Sequence, residues 1–364
     1  MEQQVRFCSS FDGARIAYAL SGRGTPLAMS ATWLGHLEHD WRSLAWRPWL
    51  EHFSRAHTLL RYDLRGTGLS DRSFANVSAD TWVRDFEKVV DAAGLDRFPL
   101  LGICQGGPIA VEYAARHPGR VSRLVLYGTY ARGNLMRPER PAEFAKAQVF
   151  VDMARLGWGE KDSEFMQVWG SAFQPGGGVE HLRSWNELQR NAISEANVPA
   201  FFEAAFRTDV QEAARRIECP TLVIHASKDK AVHVEEGRRL ASLIPGARFV
   251  ELESENHMLL PEEPAWARFC EEVDGFLGAP HVQGEVAGSA ERLGTLTKRE
   301  RQVLAGIARG LDNAEIAAEL TLSEKTVRNH ITRVFDKIGV AHRYQAIVLA
   351  RDSGLANKRG PADS

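Results

Sequence analysis

The sequence predicts an α/β domain carrying a helical insertion, followed by a small all-α domain. Three observations lead there. Up to Leu277, short β-branched apolar runs alternate with helical patterns. Residues 130–215 break that alternation with helical, aromatic-rich sequence. From Thr297 onward, helix-start signals recur at short intervals.

The first two runs, QVRFCSS and ARIAYAL, flank Asp12-Gly13 and predict a hairpin, because Asp-Gly accepts the positive φ of a tight turn. LAMSA (27–31), HTLLRYD (57–63), PLLGI (99–103), RLVLYG (123–128), TLVIHA (221–226) and RFVEL (248–252) follow as strands. They are nearly continuous apolar runs, as expected of a parallel sheet covered on both faces. The insertion is rich in large apolar side chains, among them Phe150, Trp158, Phe165, Trp169, Phe173 and Trp185, and is expected to lie over the sheet. GAPHVQGEVAGSA is small, polar and aperiodic. It predicts a linker over 278–294 between domains at 1–277 and 295–357.

In the last domain, Thr297-Lys-Arg-Glu300 and Asp312-Asn-Ala-Glu315 are capping-box signatures, and Ser323 is placed to cap a third helix. In that helix Val327, Ile331, Val334 and Ile338 form one apolar stripe. Its other face carries Lys325, Thr326, Arg328, Asn329, Thr332, Arg333 and Lys337. A segment from Tyr344 to Asp352 predicts a fourth helix. The short turn TLS between helices two and three suits a helix-turn-helix. Arg can read guanine and Asn adenine in a major groove, while Arg333 and Lys337 are better placed for phosphate. Charge agrees: Thr295–Arg359 holds 12 Lys and Arg against 7 Asp and Glu, on a chain whose net charge is −2. A basic end on an acidic body points to nucleic acid, and with the helix-turn-helix pattern the expected partner is double-stranded DNA.

A length of 364 residues suits two domains. Cys8, Cys104, Cys219 and Cys270 form no CxxC pair, so neither a zinc site nor a redox pair is expected, and no metal or other cofactor is implied. The chain starts without an apolar signal core and lacks a run of ~18 apolar residues. The expectation is a cytoplasmic protein with reduced thiols and no membrane partner.

Leu100-Leu-Gly-Ile-Cys104-Gln-Gly-Gly-Pro108 follows an apolar strand and opens a helix. That is the context of a nucleophile elbow, G-x-S-x-G, with Cys in place of Ser. A helix N-terminus favours the thiolate, and the backbone amide of Gln105 is positioned to donate to an oxyanion. Asp229 follows TLVIHA and His257 follows RFVEL. A Cys104–His257–Asp229 set of nucleophile, base and orienter is the expectation.

Two resemblances sharpen both halves. LTKRERQVL, IARG and NAEIAAELTLSEKTVRNHITRVFDKIGV are similar to the LuxR-type helix-turn-helix. Carried over by position, base-facing residues fall at Arg328, Asn329 and Thr332, with Lys325 and Thr326 at the helix start. The resemblance also implies a homodimer on DNA, paired through residues around 343–354. RYDLRGTGLSD (61–71), HPGRVSRLVLYG (117–128) and the GICQGG elbow resemble the α/β-hydrolase superfamily, and more closely the hydrolase-like domains fused to bacterial regulators and adenylate cyclases. The resemblance implies an α/β-hydrolase fold with a helical lid over 130–215, and places Asp229 and His257 where such proteins carry acid and base. Asp63, Arg65, Gly66 and Ser70 then read as bracing a loop.

Two departures bear on activity. The loop after the third strand usually carries His-Gly before the second oxyanion donor; this chain has Ala31-Thr32, with Trp33 at the donor position. Cys104 replaces Ser, so an acyl thioester must be resolved. The primary reading is a DNA-binding transcription regulator whose hydrolase-fold domain senses a small apolar or acyl-type ligand. An active Cys-dependent ester, thioester or lactone hydrolase and a thiol redox sensor stay open as alternatives.

Overall fold

The computed structural model describes residues 3–278, apart from 33, 74–75, 138, 159 and 161–162, and residues 293–338 apart from 310 and 312, together with Ala346 and Ala350. The chain divides into two compact units, Met1–Cys270 and Glu271–Ser364.

The first unit is built on an eight-stranded sheet ordered β1-β2-β4-β3-β5-β6-β7-β8. β1 (Gln3–Ser9) and β2 (Arg15–Ser21) form the expected hairpin, and Gly13 turns it at φ 89°. β2 pairs antiparallel with β4 (His57–Tyr62). β3 (Thr25–Ser30), β5 (Phe98–Ile103), β6 (Val121–Tyr127), β7 (Thr221–Ala226) and β8 (Arg248–Leu252) continue in parallel. All six residues of β7 are buried, so both of its faces are covered, which is why its sequence shows no alternation.

Helices α1 (Arg47–Ala56), α2 (Ala79–Ala92), α3 (Gly106–Arg116), α9 (Val234–Leu243) and α10 (Pro264–Gly278) connect or follow these strands. Trp49 of α1 packs against Tyr127 and Phe269, with ring centroids 5.0 and 4.5 Å away. Between β6 and β7 the expected lid appears as α4 (Pro141–Gly157), α5 (Glu164–Gly170), α6 (Gly178–Ala192), α7 (Val198–Phe206) and α8 (Gln211–Ala214). Trp158, Phe165 and Phe202 of the lid are buried on one another, whereas buried Phe201 packs on Trp82 of α2.

The order β4-β3-β5 means that the chain leaves β3 in one direction and returns on the other side to make β5. The loops beyond these two strands diverge there, and ligand crevices of open α/β sheets form at such a point. The loop after β3 is fastened from below. Buried Asp40 accepts from the His36 amide at 2.9 Å and from Arg61 at 2.7 Å. Buried Asp63 takes the amides of Leu37 and Leu69 at 2.9 and 2.8 Å. Burial pushes the Asp63 carboxyl up to about 7, a nearby Asp40 charge adds to this, and the amides and Arg61 oppose it. Arg65 is buried on Asp85 and also reaches Asp12, and Ser70 Oγ donates to the Asp63 carbonyl. These residues brace the loop.

In the second unit α11 (Lys298–Ala308), α12 (Asn313–Leu320) and α13 (Glu324–Ile338) pack around Val303, Leu304, Ile307, Ile316, Val327 and Val334. The capping box at Thr297 and Glu300 is present in both directions, and Ser323 caps Thr326 N at 3.2 Å. Asp312, the fourth helix as a whole and most of the 278–294 linker lie outside the described residues; Ala346 and Ala350 join this core.

Candidate functional site

Cys104 sits between β5 and α3 with φ 49°, a left-handed conformation rarely taken by a residue with a side chain. The surroundings enforce it. The Cys104 amide donates to Tyr127 O at 3.0 Å, and its carbonyl accepts from Gly107 N at 3.0 Å and from Thr129 Oγ1 at 2.6 Å. A Cβ on Gly107 would lie 1.9 Å from Thr129 Oγ1, and one on Gly106 would lie 2.7 Å from the Ser30 carbonyl. The glycines after Cys104 are therefore set by close backbone approach. Strain of this kind, overdetermined by its neighbours, is typical of reactive positions.

Asp229 and His257 lie in the loops that follow β7 and β8, at the same carboxyl end of the parallel strands as Cys104. His257 Nδ1 meets Asp229 Oδ2 at 2.7 Å, and both side chains are fully buried. Asp229 Oδ1 accepts from the amides of Ala231 and Val232, both at 2.8 Å. Burial opposes the charge on Asp229, but His257 and His225 beside it hold the carboxyl well below its usual range. Burial likewise opposes a charge on His257; the charges of Asp229 and of the Cys104 thiolate outweigh it and push the imidazole up to about 10. With Nδ1 on the carboxylate, Nε2 is the ring nitrogen left to face the Cys104 thiol, which lines the same cavity. The arrangement sets an imidazole, oriented by a buried carboxylate, beside a cysteine at a strand–helix turn, a pairing that can activate a nucleophile.

Cys104, Gln105 and His257 line one cavity with Thr32, Leu34, Trp46, Phe173, Trp185 and Met258. Its volume is about 10 Å³, room for roughly one water. Gln105, the residue before α3, is buried at the mouth of that helix. Trp33, the other expected oxyanion donor, lies outside the described residues. Two of the lid aromatics, Phe173 and Trp185, reach the cavity. Among the described residues no group of three His, Cys, Asp or Glu is placed to hold a metal ion, and no helix is long and apolar enough to cross a membrane.

Sequence reasoning missed Thr129, His225, Trp46 and Met258. Thr129 and Met258 carry no local signal. His225 does carry one, being a polar ring inside the apolar run TLVIHA.

On α13, Lys325, Arg328, Asn329, Thr332 and Arg333 are exposed, and Thr326 is half-buried beside its cap, Ser323. Thr332 Oγ1 donates back to the Arg328 carbonyl at 3.2 Å. Lys337 is placed differently from the rest: its Nζ meets both Glu300 oxygens at 2.9 and 2.7 Å. It ties α13 to the start of α11.

Residues 33–264 match the family described as the α/β hydrolase fold, and residues 294–350 match the bacterial regulatory proteins of the luxR family. Among curated proteins, the first unit is similar to a pyrrolizixenacetamide deacetylase of Xenorhabdus hominickii, 27% identical over 256 residues that cover 69% of this chain and 91% of that protein. It is also similar to a non-heme haloperoxidase of Rhodococcus erythropolis, 25% identical over 253 residues, or 66% and 89% of the two chains. Among solved structures, a hydrolase from Pseudomonas aeruginosa PA01 aligns with a TM-score of 0.63 at 28% identity, over 76% of this chain and 99% of that one. An esterase from Exiguobacterium antarcticum aligns at 0.65 over 76% and 100%, and at 22% identity it speaks for the fold alone.

Proposed function

Because the chain belongs to the α/β hydrolase fold family and ends in a DNA-binding domain of the luxR family, we propose that its hydrolase-fold domain senses an acyl-bearing, largely apolar small molecule through Cys104, His257 and Asp229. Occupancy of the site changes DNA binding by the C-terminal domain, which acts as a homodimer. The observation that carries this reading is the strained Cys104 beside a buried His257–Asp229 pair; a ligand must push apart the side chains that line the small cavity there, Phe173 and Trp185 of the lid among them.

In this reading the Cys104 thiolate attacks the ligand's carbonyl carbon, a C–S bond forms, and the oxyanion meets the Gln105 amide. Collapse breaks the bond to the alkoxide or amine, which takes the His257 proton and leaves. The acyl group remains on Cys104 as a thioester. Release needs a water activated by the now neutral His257, and an acyl group that must itself widen a cavity of about 10 Å³ leaves little space for one. A long-lived acyl-enzyme suits a sensor. To act as an effector, the ligand must favour one arrangement of the chain by its own differential affinity.

The test uses the full chain and p-nitrophenyl esters of graded acyl length. Intact mass reads the adduct, and fluorescence anisotropy reads binding to DNA selected from a random pool. A stable adduct that is absent in Cys104→Ala, with a changed DNA affinity, is the expected result. Equal DNA affinity for every adduct would remove the sensing role.

A working hydrolase is the second reading, favoured by the names of the relatives, a deacetylase and a hydrolase. It requires p-nitrophenolate release well beyond one equivalent per chain, lost in Cys104→Ala. A burst that stops at one equivalent rejects it.

A further inference from the structure

β7 is apolar along most of its length, yet it buries one imidazole completely: His225 is 0% exposed. Its Nε2 lies 2.9 Å from the Val232 carbonyl. A carbonyl only accepts, so the ring proton sits on Nε2. The same Nε2 is 3.4 Å from Asp229 Oδ2, the oxygen that also accepts from His257. On the opposite edge, Nδ1 has no hydrogen-bond partner among the described residues, and Gly237 of α9 closes in so tightly that a Cβ there would stand 2.3 Å from it.

These contacts close a ring. The Val232 amide bonds Asp229 Oδ1, the Val232 carbonyl bonds His225, and His225 returns to Asp229 Oδ2. We propose that His225 is a positioning residue for Asp229, whose Nε2–H keeps the buried carboxylate ionised and aimed at His257. The proposal rests on the reading of Cys104, His257 and Asp229 as one reacting unit.

The physical need is clear. A carboxylate buried in the sheet must have its charge met by donors. Two amides serve Oδ1 and the His257 N–H serves Oδ2, while the His225 N–H, directed to the Val232 carbonyl, stands 3.4 Å from the same oxygen. The other polar groups near this corner do not substitute. Tyr127 of β6 presents a buried hydroxyl without a hydrogen-bond partner among the described residues, and a neighbouring Glu263 adds negative charge beside it. Lys228 and Lys230 point to Glu253 and Glu255 at the surface. Glu236 of α9 is paired with Arg132 and Arg137. The long 3.4 Å contact also leaves room to tighten when His257 gives up its proton and draws less on Oδ2.

The test is the pH profile of Cys104 alkylation by iodoacetamide in the full chain, read by mass at the Cys104 peptide, for wild type, His225→Phe and His225→Gln. The wild-type profile sets the reference limb. His225→Phe, with no donor, moves the acid limb up by about one pH unit, so the rate on that limb falls about tenfold. His225→Gln keeps an N–H within reach of the Val232 carbonyl and Oδ2 and recovers most of the loss. A residue that merely props the loop would lower the melting temperature without moving the limb.

An unmoved limb in folded His225→Phe overturns the proposal. Should that variant fail to fold, His225→Asn takes its place: it is too short to reach Oδ2 and must shift the limb more than His225→Gln. Equal limbs for the two overturn the proposal. If wild-type Cys104 itself titrates as an ordinary thiol, the reading of the reacting unit fails, and that result needs no variant to be seen.

Discussion

His257 Nδ1 stands 2.7 Å from Asp229 Oδ2 with neither side chain exposed, so the buried carboxylate favours the charged form of the imidazole. The pH dependence follows from the direction of each shift. The folded His257 is raised to about 10, above its unfolded value of ~6.5. Its contribution to stability is therefore complete below pH ~6.5 and is lost as pH climbs toward 10. Asp229 is lowered, so its contribution is present above the ordinary carboxylate range and lost only in strong acid. The melting temperature should fall steadily from pH 7 to pH 10. In Cys104→Ala one source of the raised value is gone, so the fall should start at the same pH but level off at lower pH, with a smaller total loss. A melting temperature that is flat across this range in wild type contradicts the charged pair.

Gly107→Ala tests the elbow without touching a reacting group. The new Cβ meets the hydroxyl, Cβ and methyl of Thr129 at 1.9, 2.5 and 2.7 Å. Overpacking of this kind costs about 1–3 kcal/mol, measured by urea unfolding. Thr129→Ala in the same chain removes the two clashing branch atoms and should return part of the loss. Simple additivity of the two substitutions would mean that they do not meet as described.

The sheet was legible because parallel strands covered on both faces must be apolar throughout, and TLVIHA and RFVEL match β7 and β8 to the residue. Ends were harder to read. β3 begins at Thr25, two residues before the apolar run, because Thr25 and Pro26 pair with His57 and Thr58. Lid helices could be recognised by composition but not bounded, since their ends depend on packing between helices. Cys104, Asp229 and His257 were legible as residues that follow strands. The Thr129 contact to the Cys104 carbonyl was not, because it spans neighbouring strands. The same contrast appears in the second unit: the Thr297–Glu300 box is local and readable, while Lys337 finds Glu300 across 37 residues.

That Glu300–Lys337 contact divides the roles of the basic residues on α13. Glu300 both completes the cap of α11 and receives Lys337, and these donors pull its carboxyl down to about 2. Glu300→Ala should destabilise the C-terminal unit by ~1–2 kcal/mol, chiefly through the lost cap. Lys337→Ala should cost less, because a half-exposed ion pair adds little beyond ~1 kcal/mol. Since the shift is downward, this stabilisation is present above pH ~4.3 and fades as pH falls toward 2. Equal losses for the two variants would show that the cap contributes nothing here.

Arg328→Ala separates recognition from the ligand site. Arg328 is exposed on the polar face of α13 and is held by no ion pair among the described residues. If it reads a base edge, its loss should cost ~1–3 kcal/mol of affinity and relax preference at one position of the selected DNA. Cys104 alkylation and p-nitrophenyl ester acylation should be unchanged. Lys337→Ala, by contrast, should leave base preference intact. If it serves phosphate as well as Glu300, the salt dependence of binding should drop by about one counterion; if Glu300 takes all of its charge, the slope should not move. Anisotropy titrations of both variants across a salt series decide between these, and an Arg328→Ala chain that keeps its full base preference would move recognition to Asn329 or Thr332.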